Sequence, residues 1–293
     1  MSHKIEKALS LTGQDFKNEN ELKAHFIDVL NSRLHGICFS PYLDDQAPGC
    51  VITEAQIRMK IEIIKPYTNW IRVFSCTEGN EMIPRIAKEY GLKTLVGAWL
   101  GADHDKNEIE ISSLIDLTNK GYVDLAAVGN EVLYREELTE SELLDYIRKV
   151  KAALPHVQVG YVDAYYEFCN RPALTEACDV IFANCYPFWE GCHIDYSFLY
   201  IKDMYRRAVE AAKGKQVIIS ESGWPTMGSP FLASEPNFHN AMRYFVNVQT
   251  WCKEDGIDLF YFSSFDEAWK MGTEGDVGAY WGIWDKDGNL KYT

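Results

Sequence analysis

Residues 123–133 read VDLAAVGNEVL, a short apolar run (Val123–Val128) followed by a small polar turn that ends in a carboxylate. The run does not alternate between apolar and polar residues, which is typical of a strand buried on both faces of a sheet. Residues 216–224, QVIISESGW, repeat the arrangement and place Glu221 after a second buried run. Strands of this kind belong to parallel sheets whose two faces are covered by helices.

The same kind of run recurs at intervals of about 30 residues, the length of one strand-helix unit with its turns. The eight runs are His35–Ser40, Trp70–Ser75, Thr94–Leu100, Val123–Val128, Val157–Tyr161, Val180–Asn184, Gln216–Ser220 and Asp258–Phe262. Amphipathic stretches between them predict helices, for example Thr53–Pro66 and the segment that begins at Thr139 with a capping-box pattern. The pattern predicts an α/β protein with a single (β/α)8 TIM barrel.

The predicted barrel leaves a short segment in front of its first strand. Residues 1–34 form a predicted N-terminal helical extension packed on the barrel, in which residues 21–34 are amphipathic. Residues 35–293 form the predicted catalytic domain. No Pro- or Ser-rich linker divides this stretch, so we expect one barrel domain.

The amino-acid composition excludes or disfavours several classes of protein for this chain. Hydrophobic residues at 47% and charged residues at 25% are ordinary for a folded globular chain and exclude a disordered one. No run approaches the ~18 apolar residues that span a bilayer, so we expect no membrane association. A net charge of −14 without a Lys/Arg cluster disfavours nucleic acid as a partner, because phosphates require positive charge. The sequence predicts no particular oligomeric state.

Two features bear on compartment. The N-terminus lacks the apolar core of a secretory signal, and the eight cysteines are scattered without a CxxC pair. We therefore expect reduced thiols and a cytoplasmic location, or a secreted protein if a signal has been removed. We expect no metal and no cofactor: residues 103–105 (Asp-His-Asp) lack a third ligand at useful spacing, and residues 272–278 lack the context of a phosphate-binding loop.

The strongest candidates for chemistry are the carboxylates that follow the fourth and seventh runs. Functional residues of a parallel barrel lie at the C-terminal ends of its strands, so we expect Glu131 and Glu221 to face one central cleft. Two carboxyl groups across a cleft, one protonated and one ionised, suit the hydrolysis of glycosidic bonds. Aromatic residues near other strand ends suit sugar binding, since their rings stack on the apolar faces of sugars.

Five motifs together resemble glycoside hydrolase family 17. They are VGNEVL (128–133), ISESGWPT (219–226), YPFWEG (186–191), GICFSPY (36–42) and FDEAWK (265–270). The closing stretch and compact length are more similar to bacterial members than to plant endoglucanases. The resemblance implies a (β/α)8 barrel and a retaining double displacement on β-1,3-linked glucose. It also implies Glu131 as the acid/base and Glu221 as the nucleophile.

The resemblance suggests roles for several polar neighbours. Asn130 matches a residue that hydrogen-bonds the sugar 2-hydroxyl, and Tyr186 is placed to orient the nucleophile. Glu190 and Glu267 are candidates for binding sugar hydroxyls or for holding the acid/base. Lys270 is expected either to neutralise Glu267 or to form an ordinary surface ion pair.

Aromatic residues and one arginine complete the predicted substrate site. Trp189, Trp224 and Trp269 are candidate stacking platforms, with burial in the core as the alternative for Trp224. Tyr42 and Arg72, at the ends of the first two runs, are expected to close the site from the far side. A structural pairing of the arginine with a carboxylate is its alternative.

We expect the chain to act on soluble β-1,3-gluco-oligosaccharides from one chain end. Glucanosyl transfer with the same two glutamates is the first alternative. A non-catalytic glucan-binding barrel is a second, and it would need neither glutamate. Unrelated chemistry on the same barrel is a third, since a fold alone does not determine activity.

Overall fold

Each of the eight buried runs forms one strand of a closed barrel. The computed structural model describes residues 13, 14 and 16–292, and within them the strands are parallel and adjacent in chain order. The strands are β1 (Leu34–Cys38), β2 (Thr68–Val73), β3 (Lys93–Ala98), β4 (Leu125–Asn130), β5 (Gln158–Ala164), β6 (Val180–Asn184), β7 (Val217–Ser222) and β8 (Leu259–Tyr261). The last strand pairs with the first through Gly36–Phe260 and Ile37–Tyr261. The predicted (β/α)8 barrel is confirmed.

Helices follow the strands and cover the outside of the barrel. They are α1 (Glu19–Asn31), α2 (Glu54–Ile64), α3 (Ile83–Glu89), α4 (His104–Asn119), α5 (Glu140–Ala153), α6 (Tyr165–Asn170), α7 (Pro172–Ala177), α8 (Ile194–Ala212) and α9 (Phe238–Asp255). Thr53 and Thr139 each form a full capping box, as the sequence pattern predicts for the second of them. No helix in the described ranges is long and apolar enough to cross a membrane.

The N-terminal helix differs in its bounds from the predicted one. It ends at Asn31, because Arg33 adopts a left-handed backbone (φ 63°) and Leu34 already pairs with Thr68 of β2. Phe26 lies 4.6 Å from Phe245 of α9, measured between ring centroids, so the helix packs on the outside of the barrel. The rest of the predicted extension, residues 1–12 and 15, lies outside the described residues, and the boundary at residue 34 stays a prediction.

Irregular pairing near the ends of β4 and β7 shapes the end of the barrel that carries the candidate residues. The register of β4 on β5 shifts between Ala127 and Asn130. The register of β7 on β8 shifts between Ile219 and Ser222. Such bulges change the direction of the side chains beside them, and here they lie next to the two glutamates.

Candidate active site

Glu131 and Glu221 line the same cleft at the C-terminal end of the barrel. The cleft has a volume of about 680 Å³. Its walls come from the segments that follow β4 to β8, and they include Tyr134, Tyr166 and Trp189. A cavity of this size accommodates a small ligand.

The backbone presents Glu131 to the cleft in an uncommon conformation. Gly129 has φ +90°, and a side chain there would meet the ring of Tyr161 at 3.2 Å. Glu131 itself has φ 51°, and its N–H donates to the carbonyl of Val162 at 2.8 Å. A left-handed non-glycine residue is uncommon and is found mainly where the surroundings impose it. The bulge in β4 and this turn together direct the carboxyl group inward.

Glu221 is buried and receives charge-assisted hydrogen bonds. Arg72 Nη1 donates to Glu221 Oε1 at 2.5 Å, and Tyr186 Oη donates to Oε2 at 2.7 Å. Arg72, only 2% exposed, also donates Nη2 to Asn130 Oδ1 at 2.6 Å. Burial raises the pKa of Tyr186 well above its usual value, so the phenol keeps the proton that it donates. These contacts hold both carboxyl oxygens of Glu221 in a fixed position.

Glu131 has a different environment. Its Oε1 accepts one hydrogen bond, from Asn184 Nδ2 at 2.8 Å. Asn184 ends β6 and is fixed in turn by the hydroxyl of Ser220, which donates to its Oδ1 at 2.8 Å. Burial and the negative charge of Glu221 raise the pKa of Glu131 to about 7. A substantial fraction of Glu131 is therefore protonated at neutral pH.

A buried tyrosine and aspartate hold the loop behind Glu131. The N–H of Leu133 donates to Tyr161 Oη at 3.0 Å, and the same hydroxyl donates to Asp163. Asp163 is fully buried on β5 and accepts the N–H of Ala164 at 2.8 Å. Burial raises the pKa of Asp163 to about 6, and no ion pair reaches this carboxyl within the described part of the chain.

Glu267 and Lys270 form a buried ion pair, which is the first of the two arrangements predicted for Lys270, neutralisation of Glu267. Lys270 Nζ lies 2.7 Å from Glu267 Oε2, and both residues are buried, so this is not an ordinary surface pair. Trp269 Nε1 donates to the other carboxylate oxygen at 3.0 Å. Glu267 is thus occupied by these two partners, while Asn184 holds Glu131. Of the two roles predicted for Glu267, holding the acid/base is not found in the structure, and binding of sugar hydroxyls stays a prediction.

The structure separates two of the predicted stacking residues, Trp189 and Trp224. Trp189 lines the cleft and packs against Trp281, with ring centroids 5.6 Å apart. Trp224 is 1% exposed and donates its indole N–H to the carbonyl of Glu235, so no ring face is free for a sugar. The stacking role predicted for Trp224 is therefore corrected to a core role, because its ring packs inward on its neighbours.

The other predicted contact residues lie around the cleft. Tyr42 and Trp269 pack edge-to-face at 6.1 Å and are not among the residues that line it. Glu190 is exposed and lies at the cleft wall. Arg72 lies beneath Glu221, so the structural pairing considered for it is the arrangement found.

Sequence reasoning missed several residues of the site. They are Asn184, Asp163, Tyr161, Tyr134, Tyr165, Tyr166 and Glu274. Glu274 lines the cleft on the β8 side, and burial raises its pKa to about 7. Two of these residues could have been predicted from their position in the sequence, because Asn184 and Asp163 are polar residues at the ends of otherwise apolar runs.

Comparison with known proteins identifies the family. The family model of the BtgE/BtgC glycoside hydrolase domain matches residues 36–282. The crystal structure of a glycoside hydrolase family 17 β-1,3-glucanosyltransferase from Rhizomucor miehei is 30% identical, with a TM-score of 0.79. That similarity covers 89% of this chain and 96% of the other. This chain belongs to glycoside hydrolase family 17. It is therefore a glycosidase.

Other relatives differ in the share of their own length that the similarity covers. A glucan 1,3-beta-glucosidase of Saccharomyces cerevisiae is 27% identical, covering 84% of this chain and 86% of that protein. The probable glucan endo-1,3-beta-glucosidase btgC of Aspergillus fumigatus is 28% identical over 96% of this chain and 46% of its own length. An active-site mutant of the Rhizomucor miehei enzyme was solved with laminaritriose. These relatives are fungal, and the similarity to compact bacterial members stays a prediction.

Proposed function

We propose that the protein is a retaining glycosidase that cleaves β-1,3-linked gluco-oligosaccharides, with Glu131 as acid/base and Glu221 as nucleophile. The observation that carries this proposal is the contrast between the two carboxyl environments. Arg72 and Tyr186 donate to both oxygens of Glu221. Glu131 has one amide donor and a pKa raised to about 7 by burial. Double displacement needs a protonated acid and a well-positioned nucleophile, and these two environments suit those two roles.

In the first step of the proposed mechanism, Glu221 attacks the anomeric carbon from the face opposite the leaving group. Protonated Glu131 gives its proton to the glycosidic oxygen, so the leaving chain departs as an alcohol. The result is a glycosyl ester on Glu221 and an ionised Glu131. Asn130, fixed by Arg72 at 2.6 Å, is the proposed partner of the 2-hydroxyl of the reacting sugar.

In the second step Glu131 acts as a base. It removes a proton from water, and the resulting oxygen attacks the anomeric carbon and releases Glu221. Glu131 regains the proton, so the enzyme returns to its initial state. The amide of Asn184 supports this exchange because its hydrogen bond stabilises the ionised form of Glu131.

The substrate class follows from the relatives. The Saccharomyces cerevisiae protein is named a glucan 1,3-beta-glucosidase, and the Rhizomucor miehei enzyme was solved with laminaritriose. We further propose attack on soluble oligosaccharides from one chain end. Rapid loss of laminarin viscosity, with products of random length in the first minutes, would instead demonstrate internal cleavage, as the name of the Aspergillus fumigatus relative states for that protein.

Glucanosyl transfer is the second candidate, because the 30% identical Rhizomucor miehei neighbour is named a β-1,3-glucanosyltransferase. Transfer differs from hydrolysis only in the acceptor, a sugar hydroxyl instead of water. Thin-layer chromatography of laminari-oligosaccharide digests separates the outcomes. Only shorter products indicate hydrolysis, and longer products indicate transfer. Unchanged oligosaccharides would support a non-catalytic glucan-binding barrel.

The role assignment is tested with azide and an aryl glucoside that has a good leaving group. Glu131→Ala is expected to form the glycosyl-enzyme on this substrate, and azide then accelerates turnover by occupying the space of the missing carboxylate. Glu221→Ala is expected to lose hydrolysis and transfer, with no stimulation of the retaining reaction. A β-glucosyl azide formed by Glu221→Ala, and none by Glu131→Ala, would reverse the roles. An α-glucosyl azide from Glu221→Ala would not, because azide that replaces a missing nucleophile inverts the anomeric carbon once.

The cytoplasmic location also remains a proposal. All eight cysteines are free thiols, and five of them are buried. Unpaired thiols agree with a reducing compartment. Fractionation of the source cells, with an antibody against the protein, tests the location directly.

A further inference from the structure

Trp99 is the most exposed of the eight tryptophans, all of which lie in the described ranges. It is 41% exposed and directly follows β3, on the same end of the barrel as Glu131. It is not among the residues that line the cleft, whose walls follow β4 to β8. Trp99 therefore follows a strand whose end contributes no residue to the cleft lining.

A buried glutamate of α4 holds the backbone of Trp99 by a hydrogen bond. The N–H of Trp99 donates to Glu110 Oε2 at 3.1 Å. The same carboxylate of α4 accepts the N–H of Cys76 at 2.7 Å and the hydroxyl of Ser75 at 2.6 Å. One buried glutamate thus ties together the segments that follow β2 and β3. The backbone that carries the indole is therefore fixed, although the ring itself is exposed to solvent.

Arg135 connects this indole to the reaction centre. Its guanidinium carbon lies 4.6 Å from the centroid of the Trp99 ring. Its Nη1 donates to the carbonyl of Asn130 at 2.5 Å, and Glu137 binds the other side of the guanidinium at 2.7 Å. Trp99 is therefore separated from the residue before Glu131 by a single guanidinium group.

We infer that Trp99 is an additional sugar-binding site, which stacks on a glucosyl residue of the substrate beyond the sugars held in the cleft. The inference rests on the proposed function. An exposed, pre-ordered indole loses little conformational entropy on binding and offers a flat apolar surface to the C–H face of a sugar. A short oligosaccharide that fills the cleft does not reach this ring, whereas a longer chain does.

The test compares chain lengths in the full-length protein. The kcat/KM for laminarihexaose divided by that for laminaribiose is measured for the wild type and for Trp99→Ala. We expect the ratio to fall about two- to tenfold in the variant, the effect of losing one aromatic stacking contact. Trp99→Phe keeps a ring and is expected to retain an intermediate ratio. An unchanged ratio in Trp99→Ala would overturn the inference.

Two controls separate binding from structural damage. Ile109→Ala removes an exposed apolar side chain of α4 and is expected to leave the ratio unchanged. In a Glu221→Gln background, titration with laminarihexaose is expected to give a weaker Kd when Trp99 is alanine. Equal loss of activity on both substrates would overturn the inference in favour of a structural role. Failure of the wild type to bind or cleave any laminari-oligosaccharide would instead overturn the proposed function.

Discussion

Arg72 Nη1 lies 2.5 Å from Glu221 Oε1, and both side chains are almost completely buried. The arginine belongs to β2 and the glutamate to β7, so the ion pair crosses the interior of the barrel. The second Arg72 nitrogen binds Asn130, the residue before Glu131. One guanidinium thus fixes the position of the proposed nucleophile relative to the strand end that carries the proposed acid.

Arg72→Met is expected to destabilise the protein and to reduce activity. Removing one partner of a buried ion pair leaves a buried charge without compensation, which costs about 3–5 kcal/mol of unfolding free energy. Urea denaturation measures this change. We expect kcat/KM to fall by roughly 100-fold, because Glu221 and Asn130 both lose a fixed donor.

The matched control for this prediction is Arg206→Met. Arg206 pairs with Asp203 and Glu210 on the exposed face of α8, where an ion pair contributes little. We expect its unfolding free energy to change by less than about 1 kcal/mol. Similar losses in the two variants would contradict the role given to Arg72.

Asp163→Asn is expected to move the alkaline limb of the kcat/KM profile to lower pH. Groups on four other strands act on the pKa of Glu131. They are Glu221 of β7, Asn184 of β6, Asp163 of β5 and Arg72 of β2. Removing the charge of Asp163 favours the ionised form of Glu131, so the acid loses its proton at lower pH, by up to about one pH unit.

Tyr161→Phe is a companion variant for that pH shift. It removes the hydroxyl that accepts from Leu133 and donates to Asp163, and loss of this donor raises the pKa of Asp163. We expect a shift of the limb in the same direction that is smaller than in Asp163→Asn, together with a lower kcat from the loosened loop. An unchanged alkaline limb in Asp163→Asn would show that this carboxyl does not act on Glu131 through its charge.

Trp189→Ala and Trp224→Ala are expected to have opposite effects on activity and stability. Trp189 lines the cleft, so its truncation is expected to remove about 1–3 kcal/mol of transition-state stabilisation and to lower kcat/KM accordingly. Trp224 is packed in the core, and its truncation costs about 3–5 kcal/mol of unfolding free energy. Kinetics and denaturation on the same preparations check both. A Trp224→Ala protein that is stable but binds substrate weakly would show that Trp224 contacts the substrate and is not a core residue.

Protein stability is expected to fall as pH rises through the titration of Glu131. Its pKa rises from an ordinary 4.5 to about 7 in the folded state, because burial disfavours the charge. The folded state thus binds the proton more tightly, and this contribution is complete below pH 4.5 and lost above about pH 7. Glu131→Gln is expected to show a smaller decline of Tm across this range. An identical decline in both proteins would contradict the raised pKa.

The sequence allowed prediction of the barrel and the positions of both glutamates, because buried runs and the residues that end them are visible in one chain. It did not predict the contacts between strand ends. Asn184 and Asp163 each look like the polar end of a run, and only the closed barrel brings Asn184 to Glu131. The motif around Trp224 likewise does not tell which way the ring points. In the structure the ring packs on Phe188 and Tyr244, which come from other parts of the chain and are not visible in the local sequence.

The most direct test of the central claim is the configuration of the first product. NMR observation of the anomeric protons is made during the first minutes of laminari-oligosaccharide cleavage, before mutarotation. Double displacement through Glu221 predicts that the β-anomer of the newly formed reducing end is detected first. First appearance of the α-anomer would show a single displacement and contradict the proposed roles of both glutamates.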